Sequence, residues 1–370
     1  MKSFLLAIET SCDETAAAVF ELRRDARSAG ELLRSEVVAS QITSHQPYGG
    51  VVPELASREH LKNLPLVVKD ALLKSGVAID SIKAVSATRG PGLKGCLLVG
   101  WEYAKGLAYA RGIPLIAVNH LEAHLNSCFL MPNDQQPEFP CLALLVSGGH
   151  TSLATWELPN KISVVAQTRD DAAGEAFDKI AALMGYPYPG GPALAAAAAK
   201  PDANKHAYEF PIGMADDSSA FSFSGFKTAV ARKIAELSTL DAKERIDVAA
   251  SAQEAIVEAL LVKVDSAVQK NKVKSLLLTG GVAANGRLRE KLAHFAAAKQ
   301  LKFCVPAAKW CTDNAAMVGA AGLAAYQRDY AMYEQWLSGQ RADSCLGPDV
   351  SFEVSAAARW PLGEPLHGQR

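Results

Sequence analysis

The sequence lacks any close pair of cysteines. Its seven, Cys12, Cys96, Cys128, Cys141, Cys304, Cys311 and Cys345, are odd in number, widely spaced and never arranged as CxxC. That pattern fits a reducing, cytosolic setting in which each thiol is free and most serve as small buried hydrophobes. The chain also lacks an excess of either charge. With 38 basic against 39 acidic residues and a net charge of -1, it has no overall positive field to hold nucleic acid, although a local basic patch is compatible with the balance. No apolar run approaches the ~20 residues that cross a bilayer. The short apolar run after Met1-Lys2-Ser3 is too brief for a signal peptide, and no small-residue cleavage site follows it. No segment fits the phosphate-loop pattern GxxxxGK[ST]. What is present is a globular composition: 370 residues, 49% hydrophobic and 21% charged, enough for a packed core and about two domains.

Two segments follow one plan. FLLAIETSCDETAAAVF at 4–20 and CLALLVSGGHTSLATW at 141–156 each run as apolar strand, polar turn, apolar strand. Each therefore predicts a hairpin, and the pair suggests an internal duplication. Between and after them, strand patterns at 82–88, 114–118 and 274–279 alternate with helical ones. The helical stretches are 54–75 (interrupted by Pro65), 93–111, 120–130, 173–185, 242–270, 286–300 and 314–337. Alternation of this kind predicts an α/β architecture. Residues 21–35 read as an elaborated surface connection. The Pro/Gly-punctuated tail from Leu346 reads as peripheral.

His120-Leu121-Glu122-Ala123-His124 is the strongest metal signal. Histidines four apart on a helix share a face and can reach one ion. The comparison with the zincin HExxH motif fails, because Glu122 lies two residues after the first histidine, ~200° around the helix from it. Asp313 is the candidate third ligand. An aspartate there is equally an ordinary N-cap for the helix that follows. Three glycine turns follow strands: Ser147-Gly148-Gly149, Gly280-Gly281 leading to Asn285, and Gly90-Pro91-Gly92 with Gly95. Backbone N–H groups in such turns can approach a phosphate or acyl group. Glu175 and Asp178, three apart on a predicted helix, can face vicinal ribose hydroxyls or simply solvent. Asp13 and Glu14, in the first hairpin turn, can reach into a cleft or serve as turn residues.

Taken together, AIETSCDET at 7–15, GGVVPELASREH at 49–60, TRGPGLKGCLLVG at 88–100, NHLEAH at 119–124, LLVSGGHT at 144–151, GEAFDKIA at 174–181, YPGGP at 188–192, FSFSGFKTAV at 221–230, TGGVAANGRLRE at 279–290 and CTDNAAMVG at 311–319 resemble the universal tRNA threonylcarbamoyltransferase family in its bacterial form. The resemblance implies the fold shared by actin, sugar kinases and heat-shock ATPases: two duplicated RNase H-like α/β lobes around a cleft. The expected division is 1–125 plus 314–345 for one lobe, 126–313 for the other, and a tail at 346–370. The resemblance further implies transfer of a threonylcarbamoyl group from its adenylate to the exocyclic amine of the adenosine just after the anticodon, in tRNAs reading codons that begin with A, with release of AMP. It places the metal ligands on His120, His124 and Asp313, for iron, with zinc chemically compatible. It places the donor-binding loop on Leu145, Val146, Ser147, Gly148 and Gly149, and further substrate contacts on Asp178, Gly191 and Asn285. Asp13 and Glu14 are the candidate catalytic carboxylates, and Glu175 a candidate ribose contact. The cleft is expected to hold the adenylate donor or ATP/ADP. The implied partners are tRNA, an inactive paralogue of the same fold and a small P-loop ATPase, in the cytoplasm and with no membrane.

Two other classes compete. A metal-dependent endopeptidase is disfavoured by the phase of Glu122. An ATPase or kinase of the same fold is disfavoured by the histidine pair, which such enzymes do not need.

Overall fold

The computed structural model of the chain describes residues 2–23, 26, 28–157, 161–213, 220–237, 241–337, 346–347, 350–351 and 353–364. Cys345, the end of the expected first lobe at 338–345 and parts of the 21–35 and tail segments lie outside them. The chain divides into two compact units: Met1–Ser44, Val51–Gln136 and Asp313–Arg370 in the first, and His45–Gly50 with Pro137–Thr312 in the second.

The first unit carries a five-stranded sheet of β1 (Phe4–Glu9), β2 (Glu14–Glu21), β3 (Leu33–Ser40), β4 (Ile82–Gly90) and β5 (Leu115–Asn119), in the order β3-β2-β1-β4-β5. β1 pairs antiparallel with β2 and parallel with β4. All six residues of β1 are buried, as expected for a central strand covered on both faces, which reads as a continuous apolar run. The second unit repeats the order. Its strands are β6 (Cys141–Val146), β7 (Thr151–Glu157), β8 (Lys161–Thr168), β9 (Ala220–Phe221), β10 (Ser275–Thr279) and β11 (Lys302–Cys304), arranged β11-β10-β6-β7-β8-β9. Reversed, β8-β7-β6-β10-β11 matches the first sheet strand for strand, with the same antiparallel hairpin and parallel returns. β9 is an addition at the edge.

Several expectations need correction. Pro65 does not interrupt its helix, which runs unbroken from Pro53 to Ser75. The carbonyl that loses its partner belongs to Leu61, on a face open to water, while Ala56, His60, Leu64, Val67, Val68 and Ala71 hold the other face in the core. The end of the 21–35 segment, expected to be connection, already belongs to the edge strand Leu33–Ser40. The first unit extends past the expected boundary at 125, because the turn Ser127–Leu130 packs close to Gly30, where a Cβ would lie 2.2 Å from the Leu130 carbonyl oxygen.

The tail is not peripheral. Leu346 and Val350 belong to the first unit's core. Leu115 N–H donates to the Leu346 carbonyl, Trp101 Nε1–H to Val354 and Ala357 N–H to Arg89. The Arg89 guanidinium lies over Trp360, 5.2 Å from the ring centroid. Gly90 is what admits this chain: a Cβ there would stand 1.8 Å from the Ala357 carbonyl oxygen. The Gly90-Pro91-Gly92 turn therefore serves packing. Gly92 backs onto Ser11 and Gly95 onto Ser57 in the same way.

In the second unit the helices Ala242–Lys270 and Gly286–Ala298 are tied by buried charge. Glu254 accepts from Arg287 at 2.7 and 2.9 Å and pairs with Lys291 at 2.7 Å. Burial alone would raise the Glu254 carboxyl, but the Arg287 and Lys291 hydrogen bonds outweigh it and pull it to about 2. A folded-state value below the ordinary 4.5 stabilises the fold above that pH and loses the stabilisation as pH falls toward 2. Glu254→Gln is expected to flatten the acid limb of the melting temperature between about pH 4.5 and 2. An unchanged limb would remove Glu254 from the acid response.

Candidate functional site

β5 ends on Asn119, and the helix His120–Asn126 starts at once. Asn119 caps it: its side-chain oxygen accepts from the N–H groups of Leu121 and Glu122 at 2.9 and 3.3 Å. The amide's other end donates to the Trp360 carbonyl at 3.1 Å, so the tail fixes the cap. One turn apart, His120 and His124 are both buried, with ring centroids 4.7 Å apart. Asp313 comes from the far end of the first unit. It precedes the helix Ala315–Arg328, whose cap is Asn314, accepting from Met317 N–H at 2.8 Å. Capping thus falls to Asn314, and the Asp313 carboxylate faces the histidines.

Asp313 Oδ1 lies 3.6 Å from His120 Nε2 and 3.1 Å from His124 Nε2. The three ligand atoms all lie within 4.8 Å of one another. Tetrahedral ligands bound at ~2.1 Å stand ~3.4 Å apart, so the two measured separations bracket a shared ion. Two imidazoles and one carboxylate suit a divalent transition metal. Glu122 takes no part. Its carboxyl is raised by burial while accepting from Gly363 N–H, with Arg328 nearby. The zincin arrangement is absent.

Buried carboxylates crowd the three. Glu9, wholly buried at the end of β1, accepts from Ser11 N–H, from Thr88 Oγ1–H at 2.7 Å and from His120 Nδ1 at 3.3 Å. Burial raises its carboxyl, but the charge and hydrogen bond of His120 bring it below the ordinary value. Burial disfavours a charged His120; Asp313 and Glu9 overcome this and lift the ring to about 9. Glu14 is pushed well above the carboxylate range by burial, then by the charges of Asp313 and Asp13. The crowding of carboxylates that raises Glu14 is what a bound cation would relieve.

The turn carrying Asp13 and Glu14 is held from several sides. His60 is buried; its Nε2–H donates to the Cys12 carbonyl at 2.8 Å and its Nδ1 accepts from Thr15 Oγ1–H at 2.8 Å. Gln41 N–H donates to the Asp13 carbonyl, and Leu93 N–H to Ser11. Sequence reasoning missed Glu9 and His60 as site residues. The available signal was a lone charge closing the apolar run FLLAIE, and a histidine on the inward face of an amphipathic helix.

The remaining candidates lie in the second unit. Leu145 and Val146 are buried β6 residues. Ser147 closes the turn by accepting, through Oγ, from His150 N–H at 3.1 Å. Gly148 and Gly149 are exposed, and a Cβ on either would meet nothing within 4 Å. Two other glycines press on this strand end. A Cβ on Gly174 would stand 2.4 Å from the Ser147 carbonyl oxygen, and one on Gly280 2.4 Å from that of Val146. Asp178 and Gly191 meet directly, Gly191 N–H donating to Asp178 Oδ1 at 2.8 Å. Asn285 caps the Gly286–Ala298 helix through Leu288 N–H and donates to Gln253 at 2.8 Å. Glu175 is paired with Lys179 at 2.7 Å, and Lys179 also reaches Asp171. Glu175 and Asp178 are thus engaged with different partners.

Comparison with known proteins bears on the chain as a whole. The family model for TsaD, tRNA N6-adenosine threonylcarbamoyltransferase, matches residues 32–320. This chain belongs to that family. It is 48% identical over 336 residues to a tRNA N6-adenosine threonylcarbamoyltransferase of Desulfitobacterium hafniense, covering 88% of this chain and 94% of that one. It is 45% identical over 358 residues to the protein of that name from Geobacter sulfurreducens, covering 97% of each. Among solved structures it is similar to HypF of T. kodakarensis, with TM-score 0.57, 15% identity and coverage of 89% of this chain and 48% of that one. It is similar also to component A of the (R)-2-hydroxyglutaryl-CoA dehydratase of Acidaminococcus fermentans, with TM-score 0.52, 15% identity and coverage of 89% and 99%. At that identity the likeness concerns the fold, the duplicated α/β architecture of actin-like ATPases.

Proposed function

We infer that this member of the TsaD family is an acyltransferase that modifies tRNA, moving a threonylcarbamoyl group from its adenylate to the exocyclic amine of the adenosine 3′ of the anticodon. The acceptors are tRNAs reading codons that begin with A. The observation that carries the reading is the His120–His124–Asp313 constellation in a chain with this kinship. A metal bound there would supply Lewis acidity toward an oxygen of the threonylcarbamoyl group. Iron is the ion we propose, and the donor set accepts zinc as well.

The chain's own residues do the rest. The donor is a mixed anhydride, already activated, so orientation supplies most of what the reaction needs. The amine nitrogen attacks the carbamoyl carbon, a C–N bond forms, the C–O bond to phosphate breaks, and AMP leaves with the electron pair. The Ser147, Gly148 and Gly149 N–H groups are proposed to face the developing negative charge. Asp178, Gly191 and Asn285 are proposed to hold the nucleotide portion. Glu14 is proposed to place the amine through a hydrogen bond. Asp13 then takes the proton the amine loses.

We also propose that the enzyme works in the cytoplasm with an inactive paralogue of its own fold and a small P-loop ATPase. Among the described residues no helix is long and apolar enough to cross a membrane.

The test is transfer of labelled threonine from preformed adenylate to tRNA, with and without the two partner proteins. Label on tRNA is expected with the partners present; none under either condition would overturn the assignment. Asp13→Asn is expected to lower transfer roughly 100-fold or more, and full transfer by that variant would remove Asp13 from the chemistry.

A further inference from the structure

We propose that Glu9 is a positioning residue for the metal site: it holds the His120 ring with its proton on Nδ1, so that Nε2 is presented to the ion. The proposal rests on the metal reading above and deepens it.

Glu9 closes β1, the central strand of its sheet, and its side chain is fully buried. A carboxylate in such a place is costly unless donors surround it. Three do. Ser11 N–H reaches one oxygen, while Thr88 Oγ1–H and His120 Nδ1 share the other. An ionised carboxylate only accepts hydrogen bonds. The ring nitrogen facing it must therefore carry the hydrogen, and in the neutral ring that ligates a metal the lone pair is left on Nε2. Ser11 Oγ, 3.2 Å from the same Nδ1, can play either role and does not itself decide the tautomer. Nε2 is the nitrogen that faces Asp313 at 3.6 Å. Because β1 pairs with β4, Glu9 and Thr88 are fixed by the sheet, and the ring's orientation is set by strand register rather than by its own short helix. A carboxylate behind a ligating imidazole is a recurrent device, and its loss commonly lowers metal affinity 10–100-fold.

Glutamine tests this cleanly, since it matches glutamate in shape. With its oxygen kept toward Ser11 N–H, its amide –NH2 would face His120 Nδ1 and oppose a second donor. The ring is then driven to carry its hydrogen on Nε2, where the ion binds.

The experiment is titration of metal-free, full-length protein with Co(II), followed by its visible absorption, in the wild type, Glu9→Gln and His120→Ala. Alongside it, 15N-resolved imidazole spectra of the metal-free proteins at alkaline pH report the tautomer, and thermal melts report folding. Expected are a 10–100-fold weaker Co(II) Kd for Glu9→Gln, and a shift of His120 from the Nδ1–H to the Nε2–H form. Unchanged Co(II) affinity in Glu9→Gln, where His120→Ala loses binding, overturns the proposal and leaves the metal site standing. Failure of the wild type to bind Co(II) overturns the metal reading instead. If Glu9→Gln does not fold, the wild-type spectrum still decides: an Nε2–H ring in the native protein overturns the role assigned to Glu9.

Discussion

Replacing His124 with alanine is expected to reduce bound metal from about one ion per chain to near none and to abolish threonylcarbamoyl transfer. His124 is fully buried, and its Nε2 stands 3.1 Å from Asp313. Removing one of three protein ligands leaves a two-point site, and the loss should exceed the 10–100-fold typical of changes to residues that only support a ligand. His120→Ala should behave alike, since the two rings are one helical turn apart on a single face. The fold pays a smaller penalty, about 1–3 kcal/mol for a buried truncation. Stabilisation by metal, about 4 kcal/mol at a thousandfold excess over Kd, should vanish in the variant. Metal analysis of the purified proteins, with melts in the presence and absence of added ion, measures both effects. An unchanged metal count in either variant would sink the ligand assignment.

The second large effect is expected at Gly280, which follows β10 with φ +91. That value lies in a region L side chains rarely adopt, at a cost of about 1–3 kcal/mol. A Cβ there would also lie 2.4 Å from the Val146 carbonyl oxygen. The obstacle is backbone, held in register by the β6–β10 pairing of Thr279 with Leu145, and cannot swing aside as a side chain could. Gly280→Ala should therefore force apart the strand ends beside the Ser147-Gly148-Gly149 turn. At roughly 2–4 °C per kcal/mol for a unit of this size, a drop of about 10 °C in Tm is expected, with loss of adenylate binding. Gly281→Ala is the control. Gly281 lies outside the left-handed region, and a Cβ there would meet nothing within 4 Å, so its Tm should stay near wild type. Equal melts for the two variants would contradict the packing explanation.

Much of the architecture was legible from local pattern. The hairpins at 4–20 and 141–156 were readable because each joins two buried runs through a polar turn. The helix at 242–270 matched its sequence pattern and starts on a capping box of Asp241 and Glu244. Strands toward the sheet margins were the blind spot. β3 and β8 alternate irregularly between half-buried and exposed residues, so neither shows the apolar run that marks a central strand. Their pairing comes from a neighbour's open edge, which no local window contains. The tail was misread for a related reason. Its apolar residues are few and separated, and what docks them is a row of backbone groups on Arg89, Gly90 and Leu115.

The site divides along the same line. Local chain geometry already puts His120 and His124 on one helix face, turns Glu122 away from it, and sets glycines after the strands at Val146 and Thr279. These are consequences of helical period and chain geometry over a few residues. It takes long-range packing to bring in Asp313, 189 residues beyond His124, to complete the trio while Asn314 takes the cap. Only it set Glu9 behind His120 and gave Gly90 to the tail. Those choices depend on which strands pair and in what register, and register is fixed by burial of whole faces of the sheet, not by any short stretch of chain.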